Sequence, residues 1–313
     1  MSNIFTVTLN PAVDRELFVP TIQYDHVLRA IDHCIDFGGK GFNVSRMLKS
    51  LGKENTALGF VGGKSGELLQ EGLVSLGINA DFVWVSGETR TNVSIRSQDD
   101  AHYIKVNEAG PFITGSEQQA FLDKVHDLCR PGDWWILAGS LPPGVALNFY
   151  ADLISVIQRK EAHAVLDTSG EALLFGAQAR PEIIKPNEYE LEKLSGLPVT
   201  NLQEIASAVR ALSRFGIEHV VVSLGKRGAL VVFQNEFWLV KSPIIEEQNP
   251  IGAGDSTVGG LVWALDQNHD LLEAVRWGVA CGAAAASLSG TAVGNYGLVE
   301  KLHSKVKSER ITQ

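Results

Sequence analysis

Short apolar runs alternate along the chain with stretches whose apolar residues recur every three or four positions. The runs IFTVTL (4–9), TALGFV (56–61), WWILAG (134–139), HAVLDT (163–168), EIIKPN (182–187) and HVVVSLG (219–225) predict strands buried on both faces. Between them the spacing is helical. In NVSRMLKSLG, Val44, Met47, Leu48 and Leu51 follow the i, i+3, i+4, i+7 rule, and Gly52 is placed to end the helix. The segment NLQEIASAVRALSRFG opens on Asn201 with Glu204 three residues on, which predicts a capping box with Asn in place of Ser or Thr. Such alternation predicts an α/β fold, a mostly parallel central sheet with helices on both faces.

Two segments break this pattern. Residues 11–36 and 86–108 contain short alternating runs such as TNVSIRS and HYIKVN. They predict half-exposed antiparallel strands, forming a small inserted sheet. A sheet of that kind would cover a site as a lid or pair with another subunit. No repeat, low-complexity segment or long linker interrupts the rest, so residues 1–313 read as one domain carrying two lid segments.

Composition narrows the function. With 313 residues and 45% hydrophobic content the chain can bury a large core. A net charge of −9 argues against the basic face of a nucleic-acid binder, but a few local cations and backbone amides still suffice for a small anion. Three widely spaced cysteines, Cys34, Cys129 and Cys281, give neither a CxxC pair nor a disulfide framework, and no HExxH occurs. The opening MSNIFTVTLNP lacks a basic region before an apolar one, and the apolar helix around 271–288 is interrupted by Glu273 and Arg276. The expectation is a cytoplasmic protein with no membrane partner. The 31 glycines exceed the roughly 7% of average usage and call for turns and close backbone approaches.

In doubly wound sheets, sites form beyond the carboxyl ends of the strands. Polar and glycine residues follow each predicted strand here, among them Asp14, Ser140, Ser169, Glu190 and Lys226. Neither common phosphate fingerprint is present. GFVGGKS falls one residue short of a Walker A loop, and Gly39-x-Gly41 and Gly252-x-Gly254 lack the third glycine of a dinucleotide motif. The segment NPIGAGDSTVGG (249–260) is the strongest candidate. Glycines at a helix mouth let backbone amides converge on an anion, aided by the helix dipole. An aspartate there could take the proton of a nucleophile aimed at that anion, with the amides of Gly252 to Gly254 stabilising the charge on a moving phosphoryl group. Asp255 could equally be a simple helix cap.

Ten ordered motifs span nearly the whole chain: TLNPAVD, GGKGFNVSR, GFVGG, TRTNVSI, NEAGP, GSLPPG, DTSGEAL, KPNEYEL, VSLGKRGA and NPIGAGDS. Together they resemble the ribokinase-like sugar kinases of the phosphofructokinase B family. Within it they lean toward the branches that phosphorylate fructose 1-phosphate and tagatose 6-phosphate. The resemblance implies a ribokinase-like fold and an ATP- and Mg²⁺-dependent hexose-phosphate kinase. The expected reaction is phosphorylation of fructose 1-phosphate at C6. The alternatives are tagatose 6-phosphate at C1 or an inactive sugar-phosphate sensor.

The same resemblance implies roles for matching residues. Asp255 would be the catalytic base and Gly252, Ala253 and Gly254 the anion hole. Asp14, Gly38, Gly39, Asn43 and Ser140 would contact the sugar, while Lys40 and Arg90 would hold its resident phosphate, an arginine forking onto phosphate oxygens. Lys185, Asn187, Ser223, Gly225 and Gly228 would contact the nucleotide, and Asn187 and Glu190 would handle Mg²⁺ through water. A homodimer through the lid sheet is also expected, and no nucleic-acid partner.

Overall fold

A computed structural model describes residues 2–99 and 102–311. The chain opens with β1 (Ile4–Thr8), β2 (Ala12–Val19), β3 (Asp32–Gly38), α1 (Lys40–Ser50), β4 (Thr56–Val61) and α2 (Gly63–Ser75). Two short strands, β5 (Asn79–Ala80) and β6 (Val83–Trp84), lead to β7 (Arg90–Ser97), β8 (Tyr103–Asn107) and α3 (Gly115–Leu128). The alternation continues through β9 (Trp134–Ala138), α4 (Phe149–Arg159), β10 (His163–Asp167), α5 (Gly170–Gln178), β11 (Ile183–Ile184), α6 (Glu188–Ser195), α7 (Leu202–Ala211) and β12 (His219–Ser223). It closes with β13 (Ala229–Phe233), β14 (Glu236–Lys241), α8 (Ala253–Asp266), α9 (Leu271–Ala286), α10 (Tyr296–His303) and β15 (Lys307–Arg310).

The main sheet runs β15-β14-β13-β12-β11-β10-β9-β1-β4-β5, with β6 also on β4. Pairs from β12 through β4 are parallel, and β12 to β15 form an antiparallel extension at one edge. Successive residues of a strand enter different cores. Phe5, Val7, Trp135 and Leu137 join the cluster on one face, while Ile4, Trp134, Ile136 and Ala138 join the cluster on the other. A period-two strand with both faces covered needs apolar residues at both phases, which is why these runs show no polar alternation. β1 lies between β9 and β4, so the winding of the sheet reverses there. That reversal opens a crevice beyond the strands' carboxyl ends.

Both predicted lid segments enter one four-stranded sheet, ordered β3-β2-β7-β8; residues 100 and 101 lie outside the described residues. The all-antiparallel expectation is corrected. β2–β3 and β7–β8 are antiparallel, but β2 and β7 pair in parallel, with Asp14 opposite Asn92. The cause is connectivity, because α1, β4 and α2 intervene between those strands and permit a parallel crossover. The sheet rests on the main body through a small cluster, where Val13 and Phe37 pack with Phe42 of α1, Val61 of β4, Leu69 and Leu73 of α2, and Phe82.

Two further expectations are adjusted. The EIIKPN strand shrinks to Ile183–Ile184, since Pro186 has no amide for the ladder, and a lone bridge joins Asn187 to Ser223. At α7, Asn201 Oδ1 accepts the Glu204 amide at 3.0 Å, but the Glu204 carboxylate does not return to the Asn201 amide. It accepts the Thr200 amide and hydroxyl at 2.8 and 2.7 Å instead. Among the described residues no helix is long and apolar enough to cross a membrane.

α8 packs on α1 and α9. A Cβ at Gly282 of α9 would strike Thr257 Oγ1 and come within 2.9 Å of the Ala253 carbonyl, so these helices cross in backbone contact. Gly282→Ala should therefore destabilise the fold by about 1–3 kcal/mol through overpacking. Urea unfolding reads this directly, and an unchanged midpoint would mean that the crossing relaxes freely.

Candidate active site

The turn into α8 is set by Gly252, the helix cap, whose φ of 79° is the left-handed conformation that glycine adopts without strain. The Ala253 amide turns back onto the Pro250 carbonyl at 3.2 Å. The neighbouring first-turn amides have no acceptor within the helix and point out of its positive end. Asp255 stands in that first turn, yet its side chain caps nothing. It is only 7% exposed, and its Oδ2 accepts Asn43 Nδ2 at 2.8 Å. The helix-cap alternative for Asp255 is thereby set aside.

A second carboxylate shares this interior. Asp167 ends β10 at 1% exposure. Its Oδ1 meets Lys40 Nζ at 3.1 Å and Lys185 Nζ at 3.5 Å, and its Oδ2 is buried without a partner. Burial, then the charge of Asp167, pushes Asp255 up to about 6, against the pull of Lys40, Asn43 and Lys185. Burial works against the charge of Lys40, but Asp167 and Asp255 outweigh it and hold the lysine above its ordinary value. Lys40 and Arg90, grouped by the sequence reading, share no partner: Lys40 belongs to this carboxylate pair.

The lid side carries the other sugar candidates. Asp14 accepts Asn92 Nδ2 at 2.7 Å, and burial raises its pKa. A Cβ at Gly38 would meet the Asp14 carboxylate, so a larger residue there would displace that side chain. Gly39 caps α1, placing Lys40 and Asn43 on its first turn. Arg90 donates to the carbonyls of Asn10 at 2.8 Å, Glu108 at 3.0 Å and Pro11 at 3.4 Å, tying the loop after β1 to both ends of the lid. Ser140 lies exposed beyond β9.

A cleft of about 1000 Å³ adjoins α8. Asn187, Ser223, Gly225 and Gly228 line it together with Ala253 and Gly254, whereas none of the sugar-side candidates does. Apolar Val279, Ala283 and Ile245 also line it, as suits a flat, partly apolar ligand. Lys185 Nζ lies 3.7 Å from the position a Cβ on Gly254 would take. Asn187 and Glu190 form a full capping box on α6: Asn187 Oδ1 accepts the Glu190 amide at 2.8 Å, and Glu190 Oε2 accepts the Asn187 amide at 2.9 Å. Sequence reasoning missed Asp167. The available signal was a lone carboxylate ending the apolar run HAVL at the rim where sites form.

The sequence model of the pfkB family carbohydrate kinases matches residues 9–295. 1-Phosphofructokinase of Bacillus subtilis (strain 168) is 35% identical over 308 residues, covering 98% of this chain and 100% of that protein. 1-Phosphofructokinase of Escherichia coli (strain K12) is 33% identical over 290 residues, 93% of each chain. The crystal structure of phosphofructokinase-2 from Escherichia coli in complex with potassium matches with a TM-score of 0.92 at 32% identity, covering 97% of this chain and 99% of that one.

The raised pKa of Asp255 has a sign that can be tested. A buried acid whose folded pKa exceeds its unfolded value stabilises the fold below the unfolded pKa, and that contribution is lost as pH rises through the folded value near 6. At pH 7 the ionised carboxylate is thus a cost. Asp255→Asn should raise stability at pH 7 by on the order of 1–3 kcal/mol and have little effect at pH 4. Thermal unfolding at the two pH values checks this; a variant less stable at pH 7 would refute it.

Proposed function

The chain belongs to the pfkB family of carbohydrate kinases, which use ATP, and from that premise we propose that it phosphorylates the C6 hydroxyl of fructose 1-phosphate. The observation that carries this reading is Asp255, buried at the mouth of α8 beside open amides and two lysines. The names of the full-length relatives support the choice of sugar.

In this proposal the sugar lies beneath the lid. Asp14, with the backbone of Gly38 and Gly39, takes ring hydroxyls, and Asn43 and Ser140 add side-chain contacts. Arg90 has five N–H donors and uses three of them on carbonyls, leaving two for the resident phosphate. Lys185, Asn187, Ser223, Gly225 and Gly228 hold the nucleotide in the cleft, directing its terminal phosphoryl at Gly252, Ala253 and Gly254. The C6 oxygen attacks that phosphorus as the bond to the ADP oxygen breaks, and ADP leaves with the electron pair. Asp255 takes the hydroxyl proton. The amides of Gly252 and Gly254, with Lys40 and Lys185, stabilise the charge on the transferring group, and the Ala253 amide joins them on leaving the Pro250 carbonyl.

Mg²⁺, when bound, neutralises the β- and γ-phosphates. The residues present fit a hydrated ion. Among the described residues no group of three or more His, Cys, Asp or Glu could cage a metal, whereas Asn187 and Glu190 offer acceptors to its water shell.

The lid also supplies a surface for a second copy. By register, Ile35, Val93 and Val106 share one face of it with Leu17, Ile95 and Ile104. Val106 is 61% exposed, and a homodimer through this face would cover it. Val106→Arg should shift the chain to monomer in light scattering; an unchanged mass would remove the lid as the interface.

Phosphoryl transfer measured over fructose 1-phosphate, fructose 6-phosphate, tagatose 6-phosphate and free fructose tests the substrate. The highest kcat/KM is expected for fructose 1-phosphate. Preference for tagatose 6-phosphate would move the reading to C1, and no turnover with any would leave a sugar-phosphate sensor. Asp255→Asn should lower kcat about 10²–10⁴-fold. Because the base must be ionised, kcat/KM should fall as pH drops through about 6. A flat profile from pH 5 to 8, or a variant retaining half of kcat, would show that Asp255 is not the base.

A further inference from the structure

One largely buried arginine outside the site described so far bonds to the lid and to the segment beside the turn into α8. Arg46 lies on α1 one turn beyond Asn43, so the two side chains share a helix face. Asn43 reaches Asp255, while Arg46 reaches the lid. The Arg46 side chain is 10% exposed. Its Nη2 donates to Asp36 Oδ1 and, at 3.3 Å, to the Phe37 carbonyl. Its Nη1 donates to Asp36 Oδ2 at 3.3 Å and to Thr291 Oγ1 at 3.0 Å. The fork on Asp36 is therefore bidentate, the geometry that adds direction as well as strength.

Asp36 and Thr291 belong to opposite ends of the site. Asp36 is on β3, two residues before Gly38, and pairs in register with Asp14. Two carboxylates directly across a strand pair repel, and Asp36 does push the Asp14 carboxyl up. The guanidinium gives Asp36 a counter-charge on its other side. Thr291 lies between α9 and α10, in the segment that supports the turn into α8. There the Gly290 carbonyl accepts Asn249 Nδ2 at 2.6 Å, and Asn249 Oδ1 accepts the Ile251 amide at 3.1 Å, immediately before Gly252. Hydrogen bonds thus link the lid strand through Arg46 to Thr291 and, across the backbone from Gly290 to Thr291, to Asn249 and Ile251 just before Gly252.

We propose that Arg46 is a positioning residue that couples the lid strand bearing Gly38 to the phosphoryl-binding turn at Gly252, so that the sugar side and the transfer side adopt their working geometry together. This rests on the kinase reading above. A lysine at this position would keep the charge but could not fork onto Asp36 and reach Thr291 at once. Coupling of this kind is a free energy linking two sites through an element that both bias.

The test uses the full chain with Arg46→Lys, Arg46→Gln and the milder Thr291→Val, whose side chain keeps its shape but loses the hydroxyl that accepts from Arg46 and bonds Asp36. Hydrogen exchange of the amides in 32–38 is measured with and without a non-hydrolysable ATP analogue. The analogue should slow exchange in the wild type, and the slowing should be lost in Arg46→Gln and Thr291→Val. Steady-state kinetics should show kcat reduced about tenfold or more, the size of one lost charge-assisted hydrogen bond, with the KM for ATP nearly unchanged. Arg46→Lys should recover only part of kcat. If Arg46→Gln fails to fold, Thr291→Val decides alone. Retained slowing in a folded variant, no slowing in the wild type, or equal losses in kcat and nucleotide affinity would overturn the coupling. A wild type that turns over no ketose phosphate would refute the substrate reading, while the exchange result would still decide the coupling.

Discussion

Two carboxylates held in each other's field inside a protein need counter-charges, and this requirement organises the molecule. Asp255 and Asp167 come from α8 and β10, and the lysines that balance them come from α1 and the residue after β11. Four groups from four elements meet only because the parallel strands point their carboxyl ends to one rim and α8 docks beside α1. The sheet order, the reversal of winding at β1 and the close helix crossing at Gly282 all serve that meeting. The formal charges cancel, yet Asp167 Oδ2 lacks a hydrogen-bond partner and burial keeps Asp255 above its ordinary pKa. Such a site is poised to accept further positive charge or a proton.

The sequence carried the main sheet well because its signal is local. Strands such as WWIL and HAVL are apolar at both phases, and only burial on two faces asks for that. The glycines around Asp255 were equally legible, since a left-handed cap leaves its mark at one position. Relations across long separations were not legible. Nothing near Lys40 in the sequence announces its contact with Asp167, 127 residues on. The parallel pairing of β2 and β7 was hidden for the same reason: alternation shows which face a residue occupies, but not the direction of its neighbour.

Asn187 and Glu190 show how one pair can satisfy two demands. Each closes an amide at the start of α6, and that suffices to explain the residue types. Yet the same cap turns toward the cleft that Asn187 lines, and the charge of Glu190 is felt by Lys40. A ligand that draws on either side chain must offer more than the helix start gives up. At the first turn of α6, a ligand of that cleft would compete with the local structure of the helix start.

The lid has a consequence of another kind. Its apolar residues Val13 and Phe37 sit in a cluster with Leu69, Leu73 and Phe82, apart from the two large clusters that flank the main sheet. Changes at Val13 and Phe37 bear on the lid strands, whereas Phe42, Ala57 and Val61 of the same cluster belong to α1 and β4 and tie it to the layers that place Asp255. A lineage built on this chain could therefore explore new acceptors by accumulating substitutions on the lid strands, while the positions shared with α1 and β4 stay constrained by the phosphoryl-transfer machinery. Innovation in what is phosphorylated and preservation of how it is phosphorylated are, in this architecture, only partly separable evolutionary problems.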